Sequence, residues 1–360
     1  MANIYQIGSG MVGSVMALDL AKDHSVFLAD NDEKTLNIIS SINPNIKTTF
    51  LDANNHSALN RFIQPADIVL LAVPGFLGYK ALKTIIKANK NVVDISFSPE
   101  NTLSLDSIAK DHNVVAIVDA GVAPGIPNYL LGYYNSKLKI ESFKYYVGGL
   151  PKNPKPPFLY KAPFSPIDVI EEYTRPARIK IDGKIIKKDA VSECEILKFD
   201  NIGELEAFNT DGLRSLLYTM PQIPNLKEKT LRYPGHAKII KEYKKNGKFE
   251  SDKIQDTIKL LFDEWKLEVG EPEFTVMDIY IKGETELIHY HLYDEYKIDT
   301  NSSSMSRTTG YTATASINLI LNNIYKSPGV SPPEMVGSQK GAWDFVKNYL
   351  EQRDVNIIKK

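Results

Sequence analysis

The sequence predicts an α/β protein in which a parallel-sheet domain is interrupted by an α+β domain, and three observations carry that prediction. At 360 residues the chain exceeds what one ordinary core organises. Its first third alternates short apolar runs with segments of helical spacing, the rhythm of βαβ units. Beyond "DAGVAPGIPN" (119–128) the apolar period changes to two, the mark of half-buried antiparallel strands.

In order, strands are expected at 3–7, 25–29, 46–50, 67–73, 91–95 and 114–118, separated by helices at 12–22, 33–41, 57–63, 77–89 and 103–111. Alternation then places strands at 140–147, 178–187, 274–282 and 286–293, with Asp182-Gly183 as a hairpin turn and a helix at 235–246. Helical spacing resumes at 305–325, a segment expected to return to the first domain. The domains are therefore drawn as 1–123, 124–303 and 304–360, the last being C-terminal helices.

Composition narrows the partners. Forty-three basic and 44 acidic residues leave a formal charge of -1, so neither a nucleic acid nor an anionic membrane is expected, and a small molecule becomes the default ligand. A single cysteine, Cys194, excludes an internal disulfide and a Cys-rich metal site. The N-terminus lacks a basic leader and the apolar stretch "IVLLAVPGFLGY" is too short to span a bilayer, so a cytoplasmic protein is expected.

Gly8, Gly10 and Gly13 form G-x-G-x-x-G between the first strand and the first helix. In that setting the first glycine permits a tight turn, the second lets a pyrophosphate approach the backbone, and the third lets helix and strand pack closely. The helix start supplies free N–H groups and partial positive charge. Ser9, Met11 and Val12 complete the loop. Asp30 ends the second strand, where a carboxylate accepts from the adenosine ribose and repels a 2′-phosphate, and no arginine follows it in "ADNDEKT". A Rossmann-type domain binding NAD is the reading. Asp52, at the end of the third strand, is placed to reach the adenine or to close a turn; Val73 and Pro74 end the fourth and line the cofactor trough or the core. Asp94 and Asp119 end the next two strands, positions from which a carboxylate faces the nicotinamide and a cationic substrate, or caps a helix. Gly121 and Val122 follow in the turn and join the cofactor set.

The glycine loop, "DAGVAPGIPN", "YYVGGLP", "FSPIDVIEEYTRPA", "EAFNTDGL", "LRYPGHA", "RTTGYTA" and "GVSPPE" together resemble the saccharopine dehydrogenase-like oxidoreductases over nearly the whole chain. Within them the likeness is greatest to the L-lysine 6-dehydrogenase branch. Saccharopine reductases carry an aspartate where this chain has Ala123 and a cysteine where it has Val147. The resemblance implies oxidative deamination of an amino acid, lysine at its terminal amine, and a homodimer built through the sheet of the second domain. Three alternatives stay open: a saccharopine-type oxidoreductase of secondary amines, a carboxynorspermidine synthase-like imine reductase, and a non-catalytic NAD-binding sensor.

Oxidising an amine to an imine requires the nitrogen lone pair, so the substrate ammonium must first lose a proton to a base titrating near neutrality. His236 has the right intrinsic pKa, although a histidine at a helix start also serves as a packing residue. Arg232 offers the planar fork that suits an α-carboxylate. Tyr233 and Thr210 would orient the substrate, and Asp94 or Asp119 would attract its cationic amine. "GGLPKNPKPPFLYK", with Lys152, has the glycines of a lid and the prolines of a rigid loop. His289 and His291 share one strand face without an acidic cluster in sequence, so no metal is expected.

Overall fold

Strand β1 (Asn3–Ile7) buries four consecutive residues, Ile4 to Ile7. It can do so because strands of a parallel sheet covered on both faces have no solvent side. In the computed structural model, which describes residues 1–360, it is followed by α1 (Met11–Leu20), β2 (Ser25–Asp30), α2 (Glu33–Ile42), β3 (Lys47–Phe50) and α3 (His56–Ile63). Next come β4 (Ile68–Leu71), α4 (Gly75–Lys87), β5 (Val92–Asp94), α5 (Asp106–Asp111), β6 (Val115–Ile117) and α6 (Ile126–Asn135). All six strands are parallel, in the order β3-β2-β1-β4-β5-β6, with Ile4 opposite Val26 on one side and Ile68 on the other. Helix starts follow local chemistry: Asp32 caps α2 by accepting from the backbone of Lys34 and Thr35, and Asn55 caps α3 through Ala58.

The chain then leaves for a second unit. It contains β7 (Ile140–Pro151), α7 (Pro166–Thr174), β8 (Ala177–Ile181), β9 (Lys184–Lys188), β10 (Glu195–Phe199) and β11 (Gly203–Asn209). These precede α8 (Leu216–Thr219), β12 (Asn225–Arg232), α9 (His236–Lys245), α10 (Ile254–Glu264), β13 (Glu273–Gly283) and β14 (Leu287–Glu295). The expected hairpin joins β8 to β9, with Asp182 at φ 47° and Gly183 at φ 78°. Helix α11 (Ser304–Leu321), β15 (Gly329–Ser331), α12 (Pro333–Gly337) and α13 (Ala342–Glu351) follow, and β16 (Ile357–Lys359) ends the chain.

Two units result: residues 1–137 with 306–354, and residues 138–305 with 355–360. The expected boundary after residue 123 is corrected, since α6 belongs to the first unit. There Gly132 approaches the backbone of Glu334 in α12, and Asn128 donates to Glu334 at 2.9 Å. The C-terminal segment is also divided. Strand β15 adds a seventh parallel strand beside β6, whereas β16 pairs with β14 in the other sheet. That second sheet runs β10-β11-β12-β7-β13-β14-β16, with β8 and β9 attached through β12. It is mixed rather than antiparallel, because β12 returns parallel to β7 after the crossover that contains α7. One of its cores packs Val169, Ile170 and Tyr173 of α7, Ala237 and Ile240 of α9 and Leu261 of α10 around Trp265. No helix is long and apolar enough to cross a membrane.

Within the first unit one buried charge ties three helices. Asp19 of α1, 2% exposed, accepts from Arg353 at 2.8 and 2.9 Å, Tyr349 at 2.9 Å and Thr314 at 2.8 Å. The exposed Lys22 also reaches it at 3.2 Å, but Arg353 is its buried cation, and a buried carboxylate so saturated depends on keeping that partner. Arg353→Met is expected to cost about 3–5 kcal/mol of unfolding free energy in denaturant titration. A loss below roughly 1 kcal/mol, the scale of a surface pair, would contradict that account.

Candidate active site

Each glycine of the first loop has its own reason. Gly8 sits at φ 104°, and a Cβ there would lie 2.1 Å from the Ala72 carbonyl oxygen. A Cβ at Gly13 would meet the Gly8 oxygen at 2.4 Å, so α1 packs directly on the loop. At Gly10 it would meet nothing within 4 Å. Gly10 and Met11 are exposed where α1 begins, no side chain caps that start, and its first N–H groups are open to an anion. This cradle fits a dinucleotide pyrophosphate.

Asp30 lies beside it. One carboxylate oxygen accepts from the Ser9 backbone at 2.5 Å and the Ser9 hydroxyl at 2.8 Å; the other accepts from Asp32 N at 2.9 Å and keeps a lone pair for a further donor. Asp32 and Glu33 add negative charge at the same corner. Val12 is half-buried in the first turn of α1; Val73 is buried, and Pro74 starts α4 exposed. Buried Gly121 and Val122 turn into α6 through Gly121 N to Pro124 O at 3.1 Å and Ile126 N to Val122 O at 3.1 Å. Asp52 is exposed and accepts from Asn54 N at 2.9 Å, which is the turn-closing alternative.

Asp94 ends β5 and Asp119 lies two residues beyond the end of the neighbouring β6, but neither is an open carboxylate. Asp94 is fully buried and one of its oxygens accepts from the backbone and hydroxyl of Ser96. Asp119 is 5% exposed in a left-handed backbone conformation, φ 56°.

In the second unit Arg232 is 3% exposed, and its guanidinium is already engaged. Nε donates to the Tyr173 hydroxyl at 2.9 Å and Nη1 to the Leu231 carbonyl at 2.9 Å; Nη2 reaches the Tyr160 hydroxyl at 3.3 Å and the Glu172 carboxylate at 3.4 Å. The Tyr160 ring lies 4.3 Å from the guanidinium carbon. A bidentate carboxylate contact therefore requires a partner to leave.

His236 is corrected from general base to packing residue. It is fully buried, with Nδ1 2.7 Å from the Phe158 carbonyl and Nε2 2.9 Å from the Tyr173 hydroxyl. A carbonyl only accepts, so Nδ1 carries the proton and Nε2 accepts from Tyr173, whose oxygen in turn accepts from Arg232. Burial first, and then Arg232, push its pKa down to about 3. The imidazole is neutral throughout the physiological range.

Thr210 is 2% exposed and its hydroxyl lies 2.8 Å from both oxygens of Glu228 and 2.8 Å from Thr230. Burial lifts Glu228 to about 8, against the pull of the Thr210 hydrogen bond. Tyr233 is half-buried and donates to the Pro151 carbonyl at 2.9 Å. The proposed lid is anchored: Gly148–Pro151 lie in β7, Lys152 N donates to Pro272 O at 2.9 Å, and its ammonium pairs with Glu295 at 2.5 Å. On β14, His289 and His291 share one Asp278 oxygen at 3.1 and 2.7 Å, an acid supplied by the neighbouring strand. No group of three His, Cys, Asp or Glu is placed to hold a metal.

The saccharopine dehydrogenase NADP binding domain matches residues 4–117, and the saccharopine dehydrogenase C-terminal domain matches residues 121–354. The chain belongs to the saccharopine dehydrogenase family. It is 27% identical over 246 residues to alpha-aminoadipic semialdehyde synthase of Arabidopsis thaliana, covering 64% of this chain and 23% of that protein. It is 27% identical over 255 residues to the NADP(+), L-glutamate-forming saccharopine dehydrogenase of Schizosaccharomyces pombe, covering 67% and 56%. The chain thus spans well under two thirds of the length of either relative. The apo saccharopine dehydrogenase (L-Glu forming) of Saccharomyces cerevisiae superposes with a TM-score of 0.80 at 18% identity, over 100% of this chain and 99% of that one, and so shares the fold. The model matched over residues 4–117 is that of a dinucleotide-binding domain, and those residues include the glycine loop and the open start of α1.

The buried Glu228 carboxyl generates a stability prediction. Its pKa in the folded chain, about 8, exceeds the ordinary 4.5. The folded state therefore binds the extra proton across that window, and stability falls as pH rises through it. Glu228→Gln keeps the shape and removes the titration. Its stability relative to the parent should climb from pH 4.5 to about 8 in denaturant melts at stepped pH; a difference that stays flat would mean Glu228 is ionised in the fold.

Proposed function

We propose that the chain is an NAD-dependent dehydrogenase of an amino acid, oxidising lysine at its terminal amine to an imine that water then hydrolyses. The observation that carries the cofactor choice is Asp30. Its carboxylate is fixed by Ser9 at the end of β2, flanked by Asp32 and Glu33, and the only cationic side chain in residues 30–35 is Lys34. A ribose diol donates readily to that group, whereas a 2′-phosphate would meet three carboxylates. The fission yeast relative carries NADP(+) in its name and the model matched over residues 4–117 is that of an NADP binding domain, so the choice of NAD rests on the acidic corner around Asp30 alone.

When bound, a nicotinamide would supply the hydride acceptor, and the chain's own residues would bind and orient the reactants. The open N–H groups of α1 would hold the pyrophosphate and Asp30 the ribose. In the second unit Arg232 is the cation for the substrate α-carboxylate, kept in one orientation by Tyr173 and the Leu231 carbonyl. Ala123 and Val147, standing where saccharopine reductases carry aspartate and cysteine, support a primary amine over saccharopine.

The test is the initial rate of reduced-cofactor formation with lysine or saccharopine as donor and NAD or NADP as acceptor. Lysine with NAD should give the highest kcat/KM; turnover with saccharopine alone would overturn the substrate. Asp30→Ala should lower kcat/KM for NAD about tenfold or more, equivalent to roughly 1.4 kcal/mol, and lower that for NADP far less. Equal losses for both cofactors would remove Asp30 from ribose recognition.

A further inference from the structure

Arg232 has four partners, and they are not equivalent. Tyr173 is locked between Arg232 and His236, each at 2.9 Å, and the Leu231 carbonyl belongs to the strand itself. The Tyr160 hydroxyl is buried under Trp265, ring centroids 5.4 Å apart. Glu172 differs in three respects. It makes the longest of the four contacts, 3.4 Å, it is the only charged partner, and its side chain is 22% exposed.

We propose that Glu172 is a displaceable counter-ion, which occupies the seat on Arg232 that a substrate carboxylate takes and which accepts a proton from solvent when it is displaced. This rests on the reading of Arg232 as the carboxylate anchor and adds an exchange step to it. The incoming carboxylate meets Nη2, vacated by Glu172, and the Nη1 hydrogen not used by Leu231, which together make a parallel fork. Three fixed contacts then hold the guanidinium while one ion exchanges for another.

Proton uptake follows from what surrounds Glu172. Asp168 lies one turn earlier on α7, Glu171 precedes it on the same helix and Arg175 follows just past the helix end, Arg232 and Glu228 face it from β12, and His236 of α9 adds no charge because it is neutral. Burial raises the Glu172 pKa to about 7 while Arg232 and Arg175 hold it down and Asp168 pushes it up. Once Arg232 is shared with a second carboxylate its pull weakens, and a proton from water binds Glu172 to give a neutral acid. No bond in the ligand changes. Binding of any carboxylate at this seat is therefore accompanied by proton uptake at mildly alkaline pH, where the unliganded Glu172 is ionised.

The experiment is calorimetric titration of the NADH-loaded chain with L-lysine, saccharopine, glutarate and, as a ligand lacking a carboxylate, cadaverine, in two buffers of different protonation enthalpy. The parent chain should take up on the order of half a proton or more with the carboxylate that binds, and cadaverine should bind about tenfold or more weakly than lysine. Glu172→Gln should bind that carboxylate at least as tightly without the uptake, and Glu172→Asp, which keeps the charge, should retain it. Glutarate or saccharopine binding with uptake while lysine stays silent would sustain the exchange and refute lysine as substrate. Equal uptake in parent and Glu172→Gln, tenfold weaker binding in Glu172→Gln, or no carboxylate bound by a chain that still binds NADH would overturn the proposal.

Discussion

Burying one guanidinium, that of Arg232, is the constraint that organises the second unit. An ion taken from water into a protein interior costs several kcal/mol unless its hydrogen bonds and charge are answered there. The answer draws on separate pieces of chain: Tyr160 from the segment after β7, Glu172 and Tyr173 from α7, and His236 from the start of α9, all converging on β12. Trp265, at the end of α10, packs against Tyr160, Tyr173 and His236 and closes the box. Because the donors and acceptors run in one direction, from Arg232 through Tyr173 and His236 to the Phe158 carbonyl, the histidine has no freedom to titrate. It serves the arginine.

The first unit solves a different problem, the presentation of bare backbone. Anion binding at α1 needs uncapped N–H groups, so Gly10 has no neighbour within 4 Å of its Cβ position while Gly8 and Gly13 are pressed against backbone on either side. The loop is held from below by Gln6, whose amide donates to the carbonyls of Gly8 and Gly13 at 2.8 and 2.7 Å. Ser9 is turned toward Asp30, which couples the phosphate loop to the ribose corner through two hydrogen bonds. At its far end α1 is pinned by Asp19 to α11 and α13. Rigidity at both ends of one helix places its open start.

Much of the first unit was legible because the signals there are local. Buried parallel strands read as unbroken apolar runs, and all six were placed within a few residues; the seventh, β15, escaped because "GVS" is too short to show a period. The second sheet was read in part. Strands β10, β11 and β12 went unseen because their sequences, "EILKF", "GELEAFN" and "NLKEKTLR", are rich in charge. Lys229 is buried beside Glu195 and Glu228 beside Thr210, so interior positions look like surface ones until the pairing is known. The start of α7 carries a readable signal, Pro166 in its first turn, but Glu172 and Tyr173 acquire meaning only from Arg232, 60 and 59 residues away in the chain. The acid between His289 and His291 is likewise invisible without the β13–β14 register, which sets Asp278 opposite His291. Residue type identified Arg232 and His236 as important; only the three-dimensional hydrogen-bond directions separated their roles.

The claim on which this account turns is that His236 is a neutral acceptor fixing Arg232. Nitrogen-15 NMR of the imidazole rings, assigned by comparison with a His236→Asn chain and followed from neutral pH down to the acid limit of folding, measures it directly. One ring should carry its proton on Nδ1, with a bare Nε2 and no titration until pH approaches about 3. A His236 ring that gains its second proton near the ordinary 6.5 would contradict it, since a charged imidazolium could no longer accept from Tyr173 and the orientation of Arg232 would have to come from elsewhere.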